Sequence, residues 1–283
     1  MSEYLERAAE VGGGITMRYR YYSGGGRTPA VCIPGLTRNC RDFEDVAPMV
    51  AATGRDVFAV SLRGRGTSDR DPDPSNYHPF VYRDDLLALL DAESIDAAVF
   101  IGTSLGGLVS MLVSEKAGAR VAGVVLNDAG PELAPEGLAR IASYVGRGEP
   151  AATLEDAAAA VRAINAVAFP DASEEGWFEF ARRTFRQCED GTWALDYDPA
   201  IARPFTEDDH IPDLWASFES LKSKPTLIIH GALSDILTPA AVENMRAVHP
   251  NLAYCKVARV GHAPTLGEPE AAAAIRAILS EID

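Results

Sequence analysis

The stretch "FIGTSLGGLVS", residues 100–110, passes from an apolar strand-like run through a turn of small residues into an apolar helix-like run. Its centre, "GTSLG" at 102–106, fits the pattern G-x-S-x-G, in which a serine occupies a sharp corner between a strand and a helix. Gly102 and Gly106 leave room for that corner. Such a corner exposes the Ser104 hydroxyl above the sheet and beside a helix N-terminus, whose dipole favours negative charge. The context predicts that Ser104 is a nucleophile rather than part of a structural turn.

Short strand patterns alternate with helical patterns through the first half of the chain. Continuous apolar runs rich in β-branched residues are typical of strands covered on both faces, and they occur at 30–34, 56–62, 97–102 and 121–127. An alternating run, "ITMRYRYY" at 15–22, predicts an earlier antiparallel edge strand. Because helical patterns separate the runs, we predict right-handed βαβ units and a mostly parallel central sheet flanked by helices.

The alternation stops between Pro131 and Pro212, where alanine-rich helical patterns dominate and no strand pattern is evident. It resumes with "PTLIIHG" at 225–231. We therefore predict one α/β core, residues 1–130 and 213–283, with a helical cap at 131–212 inserted after the sixth strand. Open α/β sheets bind ligands at the carboxyl edge of their strands, so this cap is expected to cover that edge.

A serine hydroxyl is a weak nucleophile at neutral pH and requires a general base. His262 lies in "ARVGHAPTLGEPE", a loop between the last strand and the last helix, from which an imidazole can reach a serine at the edge of the sheet. The other four histidines have settings that suggest structural roles: His78, His210, His230 and His249. His262 is therefore the predicted base.

Two aspartates are candidates for the acid that orients the imidazole. Asp235, in "HGALSDILTP", follows a strand and precedes a helix, and it produces the order Ser, Asp, His. Asp128, in "VVLNDAGPE", also ends a strand and satisfies the same order. We predict Asp235 because its strand–turn–Asp–helix setting is the stronger one. Asp128 remains the alternative; otherwise it is a polar residue that closes its strand and lines the hinge of the cap.

Acyl transfer also requires donors for an oxyanion. The first predicted donor is the backbone N–H of Leu105, directly after the nucleophile. The second is the N–H of Leu36, in "CIPGLTRN" at 32–39, where Gly35 permits a close turn. The glycine-rich "SLRGRGTSD" at 61–69 lacks a phosphate-binding pattern, so its arginines are expected to brace the loop.

The predicted cap is expected to determine substrate specificity. It contains several aromatic residues, most of them expected in its own core. We select Tyr144 and Trp177 as candidate substrate-binding residues. An apolar pocket over Ser104 would favour short-to-medium apolar acyl or aromatic groups.

Composition excludes several classes of partner. The formal net charge of −15 opposes binding to nucleic acid or to anionic lipid. No apolar run is long enough to span a membrane, and the polar start "MSEYLERAAE" does not resemble a signal peptide. The four cysteines are widely spaced, and no metal-ligand spacing is evident. We therefore expect a cytoplasmic protein without metal or cofactor, acting on a small molecule as a monomer or homodimer.

Five separated motifs resemble, in order and over nearly the whole chain, those of the α/β-hydrolase fold: "IPGLTRN", "SLRGRGTSD", "GTSLGG", "HGALSDILTP" and "VGHAPTL". The resemblance implies Ser104 as nucleophile, Asp235 as acid and His262 as base, with Leu36 and Leu105 as oxyanion donors. It also implies a helical cap. The chain departs from many members at Pro34, where they have histidine, and at Ser61, where they have aspartate.

The expected activity is that of a serine hydrolase, which cleaves a small carboxylic ester or lactone through an acyl-enzyme. Relatives of this fold leave three alternatives open. The same triad serves carbon–carbon bond hydrolases. It also serves proline-type aminopeptidases, whose amine-binding acids would here be Glu174, Glu175 and Glu179, although a solvated helix face explains these residues better. The third alternative is a non-enzymatic small-molecule receptor.

Overall fold

The computed structural model describes residues 3–205 and 213–283. The strands among these residues are β1 (Leu5–Val11), β2 (Ile15–Ile33), β3 (Arg55–Ser61), β4 (Ala98–Thr103), β5 (Val121–Asn127), β6 (Phe185–Gln187), β7 (Trp193–Leu195), β8 (Thr226–Gly231) and β9 (Ala253–Val257). The α-helices are α1 (Val46–Ala51), α2 (Pro79–Ala92), α3 (Leu105–Ala117), α4 (Pro135–Tyr144), α5 (Leu154–Asn165), α6 (Glu174–Thr184), α7 (Trp215–Glu219), α8 (Pro239–Val248) and α9 (Pro269–Ser280).

The central sheet has the order β1-β2-β4-β5-β8-β9, with β3 beside β2, and the pairs from β2–β4 to β8–β9 are parallel. The long β2 contacts β3 twice. Residues 18–22 run antiparallel to β3. Residues 30–32 run parallel to it, because the residue numbers of the partners Ala30↔Val57 and Cys32↔Ala59 increase together. The two arms of β2 therefore lie on opposite sides of β3. When the arms are counted separately, β5 is the sixth strand, which agrees with the predicted point of insertion.

Alternate residues of the central strands enter two separate cores. Val31, Val60 and Phe100 pack on the face covered by α2, α3 and α8. Cys32, Ala59 and Ile101 pack on the opposite face, which α1 and α9 cover. A strand buried on both faces has no polar side, so the continuous apolar runs of the sequence identified these strands correctly. None of the helices in the described part of the chain is long and apolar enough to cross a membrane.

Residues 131–205, which we call the inserted segment, follow β5 and contain α4, α5 and α6. They also contain an antiparallel hairpin of β6 and β7, which corrects the expectation that this part has no strands. Each of these strands has three residues, too few to show an alternating pattern. The end of the predicted cap at residue 212, and His210 with it, lie outside the described residues.

Candidate active site

The corner at Ser104 is built by close backbone contacts. Ser104 has φ 52° and ψ −113°, and its N–H donates to the Asn127 carbonyl at 2.9 Å. A Cβ on Gly102 would lie 2.3 Å from the Gly106 oxygen, and a Cβ on Gly106 would lie 2.2 Å from the Ile33 oxygen. A positive φ is costly for a residue other than glycine, so this packing maintains a strained conformation that exposes the serine.

Replacing Gly106 by alanine is expected to destabilise the protein. Alanine normally favours a helix over glycine by about 1 kcal/mol, but here the methyl group would collide with backbone rather than with a flexible side chain. We expect a net loss of about 3 kcal/mol in the free energy of unfolding, measured by urea denaturation. Gly118, at the end of the same helix, has open space around its Cβ position, so Gly118→Ala is the matched control and should not be destabilising. Equal stability of G106A and wild type would contradict this account of the corner.

His262 joins the serine to a carboxylate. Its Nε2 lies 2.9 Å from Ser104 Oγ, and its Nδ1 lies 2.7 Å from Asp128 Oδ2. Because an ionised carboxylate can only accept hydrogen bonds, the Nδ1 proton points to Asp128 and the Nε2 lone pair faces the serine hydroxyl. The imidazole is therefore in the tautomer that can receive the serine proton.

Asp128 is held rigidly below the imidazole. Its side chain is fully buried, and it accepts hydrogen bonds from the Gly231 N–H at 3.0 Å and from the Ser234 hydroxyl at 2.5 Å, in addition to His262. Its own N–H donates to the Ile229 carbonyl at 2.7 Å. Three donors orient the carboxylate and compensate for its removal from water.

Asp235, the acid predicted from the sequence, is not the carboxylate that bonds His262. The Arg140 guanidinium on α4 binds it through two nitrogens, with Nη2 2.8 Å from Oδ1. Arg140 thereby holds the pKa of Asp235 below its ordinary value. Asp128 is the alternative that the sequence left open. Its strand β5 pairs directly with β4, which leads to the serine, whereas Asp235 follows β8, one strand further away.

Two backbone N–H groups near Ser104 are candidates for an oxyanion site. Leu105 is the first residue of α3, and Leu36 lines the same cavity as Ser104. Within the described ranges, neither backbone N–H has a hydrogen-bond partner. Free donors beside a candidate nucleophile are what a developing negative oxygen requires.

A cavity of about 690 Å³ opens above Ser104 and His262. One side is formed by loops of the α/β core, and the other by residues of the inserted segment. Tyr144, one of the two candidate substrate-binding residues, lies in this lining. Other cavity-facing side chains of the inserted segment are mainly apolar and include Ile141, Ile164, Phe169, Phe180 and Leu195.

Trp177 does not line the cavity. It is 4% exposed and packs inside the inserted segment against Ala157, Val161 and Phe185. Phe180, three residues further along α6, faces the cavity instead. Sequence spacing showed that these aromatic residues share a helix, but the angle at which α6 lies on the core decides which of them reaches the cavity.

The acidic residues of α6 are paired with arginines. Glu174 contacts Arg162 at 2.6 Å, whereas Glu175 and Glu179 contact Arg182. The three carboxylates are between 46% and 77% exposed, in agreement with a solvated helix face. Only Glu179 also borders the cavity.

The arginines of "SLRGRG" do brace loops. Arg63 is bonded to the buried carboxylate of Asp85, with Nε 2.7 Å from Oδ2, and also to Asp71. Arg65 donates from Nε to the Leu36 carbonyl at 2.9 Å. The motif therefore supports the loop that carries one of the free N–H groups.

The chain belongs to the family of proteins with the α/β-hydrolase fold, because the model of that family matches residues 28–269. It is 34% identical over 250 residues to the 3-hydroxybutyrate-oligomer hydrolase of Cupriavidus necator, covering 84% of each chain. It is 27% identical to the 2-(acetamidomethylene)succinate hydrolase of Mesorhizobium japonicum, covering 88% of this chain and 86% of the relative. The crystal structure of an α/β hydrolase from Novosphingobium aromaticivorans shares 42% identity and a TM-score of 0.94, with full coverage of both chains.

Proposed function

We propose that this α/β hydrolase is a serine esterase in which Ser104 is the nucleophile, His262 the general base and Asp128 the acid. The observation that carries the proposal is the continuous chain of contacts from Ser104 Oγ through the imidazole to the Asp128 carboxylate, at 2.9 and 2.7 Å. The free N–H groups of Leu36 and Leu105 support it, because they can donate hydrogen bonds to the oxyanion that forms when the serine attacks a carbonyl.

The reaction follows from these positions. His262 Nε2 removes the proton as Ser104 Oγ attacks the ester carbonyl, and Asp128 stabilises the resulting imidazolium. The tetrahedral oxyanion binds the two N–H groups, and His262 then returns the proton to the leaving alcohol. A water molecule, deprotonated by the same imidazole, hydrolyses the acyl-enzyme and releases the acid.

Among carboxylic esters, we propose esters between short hydroxy acids as the first candidate substrates. An oligomer of 3-hydroxybutyrate, the substrate in the name of the 34% identical relative, contains such esters and ends in a carboxylate. The cavity has an apolar wall for short carbon chains, and the exposed Arg147 beside it has no ion-pair partner among residues 3–205 and 213–283. A free guanidinium at the cavity is suited to a terminal carboxylate.

The proposal predicts that a fluorophosphonate modifies Ser104 and that one modification per chain abolishes hydrolysis. Intact mass and peptide mapping identify the modified residue, and activity against p-nitrophenyl butyrate is measured in parallel. The 3-hydroxybutyrate dimer and its methyl ester form a matched pair of substrates, and we expect a lower KM for the free acid. Modification of another residue, or full activity after complete labelling, would refute the esterase assignment.

A further inference from the structure

Arg65 lies directly behind the loop that carries Leu36. Its side chain is fully buried, with 0% exposure of the residue. Nε donates to the Leu36 carbonyl at 2.9 Å, and Nη1 donates to the Arg63 carbonyl at 2.7 Å and to the Tyr82 hydroxyl at 2.8 Å. The guanidinium also lies 4.8 Å from the centre of the Tyr82 ring. All of its bonded partners are neutral.

The positive charge of Arg65 has no bonded carboxylate in the described part of the chain. The two nearby buried acids, Asp71 and Asp85, are bonded to Arg63 instead. Arg65 Nη2 is buried and has no hydrogen-bond partner within the described residues. Burial of a cation among neutral acceptors costs free energy, which a neutral side chain of similar size would avoid. A role that needs the charge or the fork of donors explains why arginine stands here.

The loop has little support of its own at this point. Pro34 has no N–H and no polar side chain, and Gly35 has no side chain at all. A single backbone bond, from Arg38 N to the Gly35 carbonyl at 3.1 Å, closes the turn. The bond from Arg65 to the Leu36 carbonyl fixes the next peptide, between Leu36 and Thr37. Among residues that the structure describes, the two peptides that flank the Leu36 Cα are therefore each held by one bond.

We propose that Arg65 is a positioning residue for the oxyanion site. It fixes the Leu36 backbone so that its N–H points at the reacting carbonyl, and its buried charge favours a negative oxygen beside that loop. Electrostatic effects of this kind are strong because the Arg65 guanidinium is removed from water and the groups are already in place before the reaction. The inference rests on the proposed serine esterase function, and it adds a residue that does not touch the substrate.

The test compares Arg65→Met, Arg65→Lys and the matched control Tyr82→Phe. Methionine removes both the charge and the donors, lysine keeps a charge without the fork, and Tyr82→Phe removes a different partner of Arg65. For p-nitrophenyl butyrate, we expect R65M to lower kcat by about 100-fold with KM changed by about twofold or less, as for loss of one oxyanion donor. R65K is expected to be intermediate, and Y82F close to wild type.

A purely structural role would produce a different pattern, so two further measurements separate the explanations. Titration with a fluorophosphonate counts the correctly folded sites, and kcat is expressed per site. Inhibition by a trifluoromethyl ketone, which forms a tetrahedral adduct with an oxyanion, is compared with inhibition by butyramide, a neutral analogue that forms no oxyanion. We expect the ketone to lose affinity in R65M in proportion to kcat, whereas butyramide binding is unchanged.

The outcomes separate the role of Arg65 from the esterase function. If wild-type Ser104 is labelled and active, but R65M and R65K retain kcat per site and ketone affinity within about threefold, the role of Arg65 is refuted and the esterase proposal stands. If R65M does not fold, R65K decides by the same criteria. If the wild-type protein is neither labelled at Ser104 nor active, the esterase proposal fails and the inference for Arg65 fails with it.

Discussion

Ser104→Ala is expected to lower kcat for ester hydrolysis by about 10⁴- to 10⁶-fold, because the acyl-enzyme can no longer form. The remaining rate would come from water attacking a carbonyl that still contacts the N–H groups of Leu36 and Leu105. Since the side chain is small and, among the described residues, its hydroxyl is hydrogen-bonded only to His262, the free energy of unfolding should change little. Stopped-assay kinetics at high enzyme concentration, together with urea denaturation, measure both quantities.

Ser110→Ala is the matched control for this variant. Ser110 lies in the same helix, is fully buried, and donates its hydroxyl proton to the Gly106 carbonyl at 2.7 Å. It has no contact with His262, so S110A should be labelled by the fluorophosphonate and should hydrolyse esters like wild type. An S104A protein that retains more than about a tenth of wild-type kcat would show that the serine is not the nucleophile, because loss of a covalent nucleophile costs far more.

The second large effect is expected at Asp128. Asp128→Asn keeps the shape of the side chain but places an amide opposite His262 Nδ1, which favours the wrong imidazole tautomer. We expect kcat to fall by about 10³- to 10⁴-fold at neutral pH. Asp235→Asn is the matched comparison, and its kcat should stay within about threefold of wild type, because the Asp235 carboxylate is engaged by Arg140 rather than by the imidazole. The reverse order of effects would reinstate Asp235 as the acid.

Asp235→Asn should instead alter stability in a pH-dependent manner. Arg140 lowers the pKa of Asp235 in the folded state below its ordinary value of 3.8. The pair therefore stabilises the folded state above the unfolded pKa, and this contribution disappears as the pH falls through the folded pKa. The difference in unfolding free energy between wild type and D235N should be present at neutral pH and vanish in strong acid. The side chain is 39% exposed, so solvent weakens the effect.

Asp235 and Trp177 show why the sequence did not complete the site. Both acids end strands at the same edge of the sheet and both satisfy the order Ser, Asp, His. Arg140 distinguishes them. This residue of α4, nearly 100 positions before Asp235 in the chain, binds the Asp235 carboxylate, whereas the Asp128 carboxylate contacts His262. Similarly, whether Trp177 or Phe180 reaches the cavity depends on the orientation of a helix, which local spacing does not encode.

Features that rest on local physics follow from the order of the residues alone. The apolar runs identify buried parallel strands, Gly102 and Gly106 permit the corner at Ser104, and His262 follows the last strand of the sheet. The tertiary structure alone decided the partner of the imidazole, the side chains that face the cavity, and the bond from Arg65 to Leu36. The physical reason is that strands and turns arise from neighbouring residues, whereas these contacts join segments that only packing brings together.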